Sequence, residues 1–278
     1  MSPTTMRVGI AGLGAVGLPV ATALVRGSIP GMRLSAVSAK DVSKAAVRLQ
    51  DIGHPAAYVP IVQPQQLCEH ADVVVEALPP ANFLEVAEPT LASGRTLVAL
   101  SATQVLASHD ALVALTKKRK GGRLIVPSGA LCGLDAVRAA AEGGNIRSVT
   151  MQTRKPPRSL QGAPMVAELG LDLSALAEAQ CLYSGSVREA AKLFPANVNV
   201  AVALSLAGVG PDETLYEVYA DPQVERNTHV VRVEADESSF EVRVQGVPSE
   251  TNPATGKLTP LSTLATLRGL VAGFRVGT

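Results

Sequence analysis

The first half of the chain alternates short apolar runs with stretches of helical spacing. Met6 to Ala11 is an apolar strand that breaks at Gly12-Leu13-Gly14-Ala15-Val16-Gly17. Leu18 to Arg26 then carries apolar residues at helical spacing and stops at Gly27, a C-terminal glycine, with Pro19 near the first turn where its missing N–H costs little. Leu34-Ser35-Ala36-Val37 reads as the second strand. Asp72 to Leu78, ended by Pro79-Pro80, is almost continuously apolar, as expected of a parallel strand buried on both faces. Thr96 to Ser101 and Leu124 to Pro127 repeat the pattern with helical stretches between them. Such alternation predicts a doubly wound parallel sheet with right-handed crossovers, an α/β Rossmann arrangement.

The second half has a different period. Ser128 to Asp135 opens a predicted helix that runs through Ala141 and stops at Gly143-Gly144. Thr228 to Val233 and Phe240 to Val244 alternate with period two, which predicts antiparallel strands with one face on a core. A last helix, Leu261 to Val271, follows Pro260. The expected organisation is a first domain over 1–127 and 250–278, with an α+β domain carrying a largely antiparallel sheet over 128–249.

The glycine spacing after the first strand gives the first chemistry. In a G-x-G-x-x-G turn, Gly12 permits the tight bend, Gly14 lets the backbone approach a pyrophosphate, and Gly17 lets the new helix press on the strand. The anion then rests on the helix N-terminus beside Ala15 and Val16. A plain strand-to-helix corner is the competing reading. At the end of the second strand, where an NAD enzyme carries an acid for the adenosine ribose, stand Ser38, Ala39, Lys40 and Asp41. Asp41 suits the ribose hydroxyls of NAD, whereas Ser38 with Lys40 suits the 2′-phosphate of NADP, so NAD or NADP is expected.

Composition narrows the partners. The chain has 278 residues, 47% hydrophobic and 18% charged, with a formal net charge of +1. That balance offers no general attraction for nucleic acid or an anionic membrane, and 3% aromatic content leaves little for base stacking. No apolar run reaches bilayer-spanning length, and Met1 to Thr5 are too short for a signal peptide. Cys68, Cys132 and Cys181 are widely spaced and odd in number, which suits a reducing, cytoplasmic setting and excludes a CxxC metal site. A small-molecule substrate is therefore expected, with a homodimer as the default assembly.

Candidate catalytic residues lie in the second half. His54, His70 and His109 have no convergent polar neighbours in sequence, but His229 ends the polar loop Asp221 to Thr228 at the start of an apolar strand. An imidazole there suits proton exchange near neutral pH, and a structural histidine is the alternative. Asn197 and Asn199 precede an apolar helix, either as caps or as amides directed at a ligand. Arg154 and Lys155, at a proline-ended strand terminus, suit a substrate carboxylate, and Asn227 is placed with them.

Taken in order, Gly12 to Gly17, Ser128 to Ala136, Arg154 to Pro157, Lys192 to Ala201, Asn227 to His229 and Asn252 to Lys257 resemble the L-aspartate dehydrogenase family across essentially the whole chain. The resemblance implies NAD(P)-dependent oxidation of L-aspartate, a small dicarboxylic amino acid, to iminoaspartate, which hydrolyses to oxaloacetate and ammonia or feeds quinolinate synthesis. It also implies that Ala130 and Asn199, or Asn197, contact the nicotinamide cofactor, that His229 is catalytic, and that the terminal helix returns to the first domain. A dehydrogenase of another amino or hydroxy dicarboxylate and a non-catalytic NADP-binding regulator are the alternatives.

Overall fold

The computed structural model describes residues 5–53, 59–168, 170–194, 198–250, 252 and 255–277. These divide into two compact units, 1–127 with 259–276, and 128–258 with 277–278.

Unit 1 is built on strands β1 (Met6–Ala11), β2 (Met32–Ser38), β3 (Val73–Glu76), β4 (Thr96–Ala99) and β5 (Arg123–Ile125). Among the described residues they form one parallel sheet in the order β2-β1-β3-β4-β5. Helices α1 (Gly17–Val25), α2 (Val42–Asp51), α3 (Leu67–His70), α4 (Phe83–Ala92), α5 (Ala102–Ala107) and α6 (His109–Thr116) supply the crossovers. The order reverses between β1 and β3, so the switch point, where ligands bind in such sheets, lies at the carboxyl ends of those two strands. Val8 and Ile10 of β1, Val73 and Val75 of β3, Val98 of β4 and Val20 and Leu24 of α1 share one core. Each such side chain contributes roughly 1.5–3 kcal/mol on burial, which is why an almost uninterrupted apolar run is stable in a strand covered on both faces.

Unit 2 contains α7 (Leu134–Gly143), β6 (Ile146–Lys155), α8 (Pro164–Glu168), β7 (Gln180–Ser186), α9 (Val187–Leu193), α10 (Asn199–Ala207), β8 (Thr214–Ala220), β9 (Thr228–Ala235) and β10 (Ser239–Gln245). The described strands form a sheet in the order β10-β9-β6-β8-β7, antiparallel except for β6 with β8. Alternation along β6 sends Val149, Met151, Thr153 and Lys155 to the buried face, and Thr150, Gln152 and Arg154 to the other. Helix α7 starts at Leu134 rather than Ser128, because Ser128 to Leu131 close a turn first, with Leu131 N–H donating to the Ser128 carbonyl.

The final helix α11 (Leu258–Val271) buries Leu267 in the core of unit 1, and Arg268 donates to the Ser28 carbonyl at 2.7 Å. The return to unit 1 falls at Thr259 instead of residue 250. A bridge between Pro248 and Gly256, with Lys257 N–H donating to the Val247 carbonyl, ties these residues to one another within unit 2.

Candidate active site

The glycine turn of unit 1 has the shape of an anion cradle. Gly12 sits at φ +93°, and a Cβ there would lie 2.5 Å from the Ala77 carbonyl oxygen. A Cβ on Gly17 would collide with the Gly12 carbonyl. Gly14 is different, since its Cβ would meet no protein atom within 4 Å. Two glycines are thus demanded by packing, while the third keeps a space open beside the start of α1. Val16 caps that helix without a side-chain acceptor, and Ala15 and Val16 are half-buried in the turn. The first-turn N–H groups and the positive end of the helix dipole fit a pyrophosphate there.

The ribose end holds a difference from expectation. The Asp41 carboxylate is the N-cap of α2 and accepts from Lys44 N–H at 2.9 Å, so the helix already uses it. Ser38 is buried, with its carbonyl accepting from Gly12 N–H at 2.7 Å, and Lys40 is exposed. Arg48 of α2 donates to the Leu13 carbonyl, which fixes a guanidinium on the glycine turn. Nothing in the local sequence marks Arg48, because only the fold brings α2 back to Leu13.

Glu76 also escapes a reading by periodicity, since it ends an apolar strand. Its carboxylate is fully buried at the switch point. It accepts from Leu78 N–H at 3.0 Å, Ser101 N–H at 3.1 Å and Ser101 Oγ–H at 3.0 Å. Burial pushes its carboxyl above the usual range, against those hydrogen bonds. It ties the segments after β3 and β4 together at the sheet's carboxyl edge.

In unit 2, strand register assembles a second polar cluster. Thr153 of β6 stands directly opposite His229 of β9, and Thr153 Oγ1 lies 3.0 Å from His229 Nδ1. Lys155, two residues along, shares their face. All three are buried, at 0%, 5% and 5% exposure for Thr153, His229 and Lys155. Burial brings the Lys155 ammonium down to about 8. It brings the His229 imidazole down to about 4, with the neighbouring Lys155 charge adding to the effect. Tyr216 of β8 is fully buried, and its phenol is pushed up to about 12 by burial while Thr153 pulls the other way. At neutral pH the cluster therefore presents an uncharged imidazole beside a lysine that exchanges a proton readily.

The other expected residues divide between this cluster and elsewhere. Arg154 occupies the opposite face of the sheet from His229 and Lys155. Its guanidinium pairs with Asp221 at 2.9 Å, donates to Gln152 Oε1 at 3.1 Å and lies 4.8 Å over the Tyr219 ring. Asn227 is half-buried at the start of β9, its carbonyl accepting from Gly246 N–H at 2.8 Å. A Cβ on Gly129 would lie 3.8 Å from Val200 Cγ1, so the turn carrying Ala130 rests on the first turn of α10, where Asn199 stands. The N-cap of that helix is Val198, whose side chain cannot cap. Asn197 and His54 lie outside the described residues. His70 ends α3 and His109 contacts neighbouring Asp110, far in sequence from the cluster.

A family model described as aspartate dehydrogenase, C-terminal, matches residues 135–270. The L-aspartate dehydrogenase 3 of Bordetella bronchiseptica is 47% identical over 273 residues, covering 98% of this chain and 97% of the relative. The L-aspartate dehydrogenase of Bradyrhizobium diazoefficiens is also 47% identical over 273 residues, covering 98% and 94%. Among solved structures, aspartate dehydrogenase from Thermotoga maritima matches with a TM-score of 0.72 at 25% identity, over 98% of this chain and 99% of that one. The fold, without closer likeness, is shared with an NADPH complex of a hyperthermophilic archaeal homoserine dehydrogenase, with a TM-score of 0.59 at 12% identity over 98% and 99%.

Proposed function

Because the chain belongs to the aspartate dehydrogenase family, we propose that it oxidises L-aspartate with NAD(P)+, yielding iminoaspartate and then oxaloacetate and ammonia. The observation that carries the reading is the buried Thr153–His229–Lys155 cluster, in a chain that also holds a glycine cradle fitted to a pyrophosphate. A cofactor regulator has no use for two buried nitrogen bases.

In this reading Gly12, Gly14, Ala15, Val16 and Gly17 would hold the pyrophosphate of the cofactor, with Ser38 and Lys40 toward its ribose, the family resemblance assigns Ala130 and Asn199 or Asn197 to the nicotinamide, and the group would supply a hydride acceptor. The residues of unit 2 manage protons and charge. The substrate arrives as an ammonium, and one proton must leave nitrogen before the Cα–H pair departs as hydride and the C=N bond forms. Lys155, held near neutral affinity for a proton, suits that exchange or a substrate carboxylate. His229 is the catalytic imidazole at the amine and the imine, where water adds and ammonia leaves. Arg154 supports the sheet through Asp221, so the carboxylate role falls to Lys155 and Asn227.

Placement in the cytoplasm is supported by three free cysteines. No helix of the described residues is long and apolar enough to cross a membrane. A homodimer through the outer face of the unit 2 sheet is part of the proposal, since Leu215 is 40% exposed there and a two-fold axis lets one face serve both copies. Light scattering reading a monomer at micromolar concentration removes that part alone.

The test is purified protein with NAD+ or NADP+ and L-aspartate, D-aspartate, L-glutamate or L-malate, following the absorbance of reduced nicotinamide. Reduction with L-aspartate above the others is expected. Reduction by L-malate alone would transfer the function to a hydroxy acid.

A further inference from the structure

We propose that Thr153 is the positioning residue of His229, fixing its tautomer so that the ring carries its proton on Nε2 and meets the substrate as a hydrogen-bond donor. This rests on the reading that His229 touches substrate.

The geometry comes from the sheet. Thr153 and His229 are cross-strand partners on adjacent strands, both essentially removed from water, with Oγ1 and Nδ1 at 3.0 Å. A β-branched threonine in a strand has a stiff χ1, so its hydroxyl is a fixed point against which the imidazole is held. Where histidine catalysis is oriented by a carboxylate, the acid also stabilises an imidazolium. Here a neutral hydroxyl does the orienting and the nearby charge is the Lys155 ammonium, so both features disfavour the doubly protonated ring.

Counting protons sets the direction of the bond. The Tyr216 hydroxyl is fully buried and closes no hydrogen bond of its own, and the polar group beside it is the Thr153 hydroxyl. A phenol donates one proton and a threonine hydroxyl donates one and accepts up to two. If Thr153 accepted from Nδ1–H, its own proton would turn toward the Tyr216 oxygen and leave the phenol proton facing nothing, which a buried donor tolerates poorly. If Thr153 donates to Nδ1, its lone pairs are left toward the phenol, so the buried Tyr216 proton, which closes no hydrogen bond, points at an acceptor and not at another proton. The second arrangement leaves Nδ1 as acceptor and Nε2 as N–H.

An Nε2–H donor fits the oxygen of a substrate carboxylate or of the water adduct of the imine. It does not fit the task of taking the first proton from an ammonium, since that ring atom is already protonated. That proton goes to Lys155 on the same buried face once its ammonium has released its own proton to solvent and stands as the free amine, and His229 holds and polarises the oxygen acceptor.

The test is nitrogen-15 NMR of protein labelled at histidine, with His229→Asn identifying the resonance of His229 among the four histidines. The expected spectrum at neutral pH has His229 as the Nε2–H tautomer. Thr153→Val should mix the tautomers and lower kcat, by up to about 100-fold if the ring tilts out of place. Thr153→Ser should restore both, and Tyr216→Phe should mix the tautomers while leaving the fold intact. An Nδ1–H tautomer in the parent protein, or a Thr153→Val variant with the parent's tautomer and kcat, overturns the inference. Should His229→Asn itself keep full turnover, the role assigned to His229 fails whichever tautomer is seen, and the two failures are thereby told apart.

Discussion

Replacing Lys155 with methionine separates stability from function at a single side chain. Lys155 is 5% exposed, and burial lowers its affinity for a proton from the ordinary 10.5 to about 8. At about 1.4 kcal/mol for each tenfold change, holding that charge in the fold costs roughly 3 kcal/mol at neutral pH. Methionine fills a similar volume without charge, so Lys155→Met should gain stability, by about 1–2 kcal/mol once hydrogen bonds of the ammonium are lost. The sign with pH follows from linkage. With a depressed folded value, the unfolded chain binds more protons between about 8 and 10.5, so the parent recovers stability as pH rises through that window. The advantage of the methionine variant should be full below about pH 8 and shrink toward pH 10. Urea unfolding at pH 7 and pH 9.5 measures both, and turnover of L-aspartate should fall by about 100-fold or more in the same variant. A variant less stable than the parent at pH 7, with a difference that does not change by pH 9.5, would refute the claim that the fold holds a strained ammonium for chemistry.

The remaining predictions divide the molecule by role. His229 is lowered to about 4, so the unfolded chain binds more protons between about 6.5 and 4, and stability should fall as pH drops through that range. Urea titrations of the parent and His229→Asn should converge at the acid end, and parallel curves would contradict the assignment. Gly14→Ala adds a methyl that meets no protein atom, so the melting temperature should hold while NADH or NADPH binding, read by cofactor fluorescence, weakens about tenfold or more. Gly17→Ala should instead lose the fold, because its Cβ collides with the Gly12 carbonyl. Arg154→Ala should leave Asp221 buried without its cation and cost about 1–3 kcal/mol in unfolding, with the KM for aspartate nearly unchanged. A large rise in KM with stability intact would return Arg154 to the substrate.

What could be read from the sequence follows the local character of each signal. Val73 to Glu76 and the glycine turn declare themselves, since a strand buried on both faces and a turn with fixed φ demands constrain each residue separately. The strands of unit 2 carry a weaker local signal. Thr214 to Ala220 alternates in burial but mixes Glu217 and Tyr219 into its outer face, and Gln180 to Ser186 has no buried residue, so periodicity is faint. Arg154 and Lys155 look equivalent as neighbouring cations, yet a strand sends them to opposite faces, one to Asp221 and one toward His229. Asp41 looks like a ribose acid and serves as a helix cap. Thr153, Tyr216 and Arg48 acquire meaning through strand register or through a helix returning over the turn, with no window of sequence containing both partners, and Glu76 does so through Ser101.

The most direct test of the central claim follows the hydrogen itself. L-aspartate deuterated at Cα is incubated with the protein and oxidised cofactor, and the reduced nicotinamide is analysed by mass spectrometry alongside released ammonia. One deuterium per reduced cofactor and one ammonia per turnover are expected, with loss of both in His229→Ala while cofactor affinity is retained. Bound cofactor that gains no deuterium while L-aspartate is left unconsumed would contradict it.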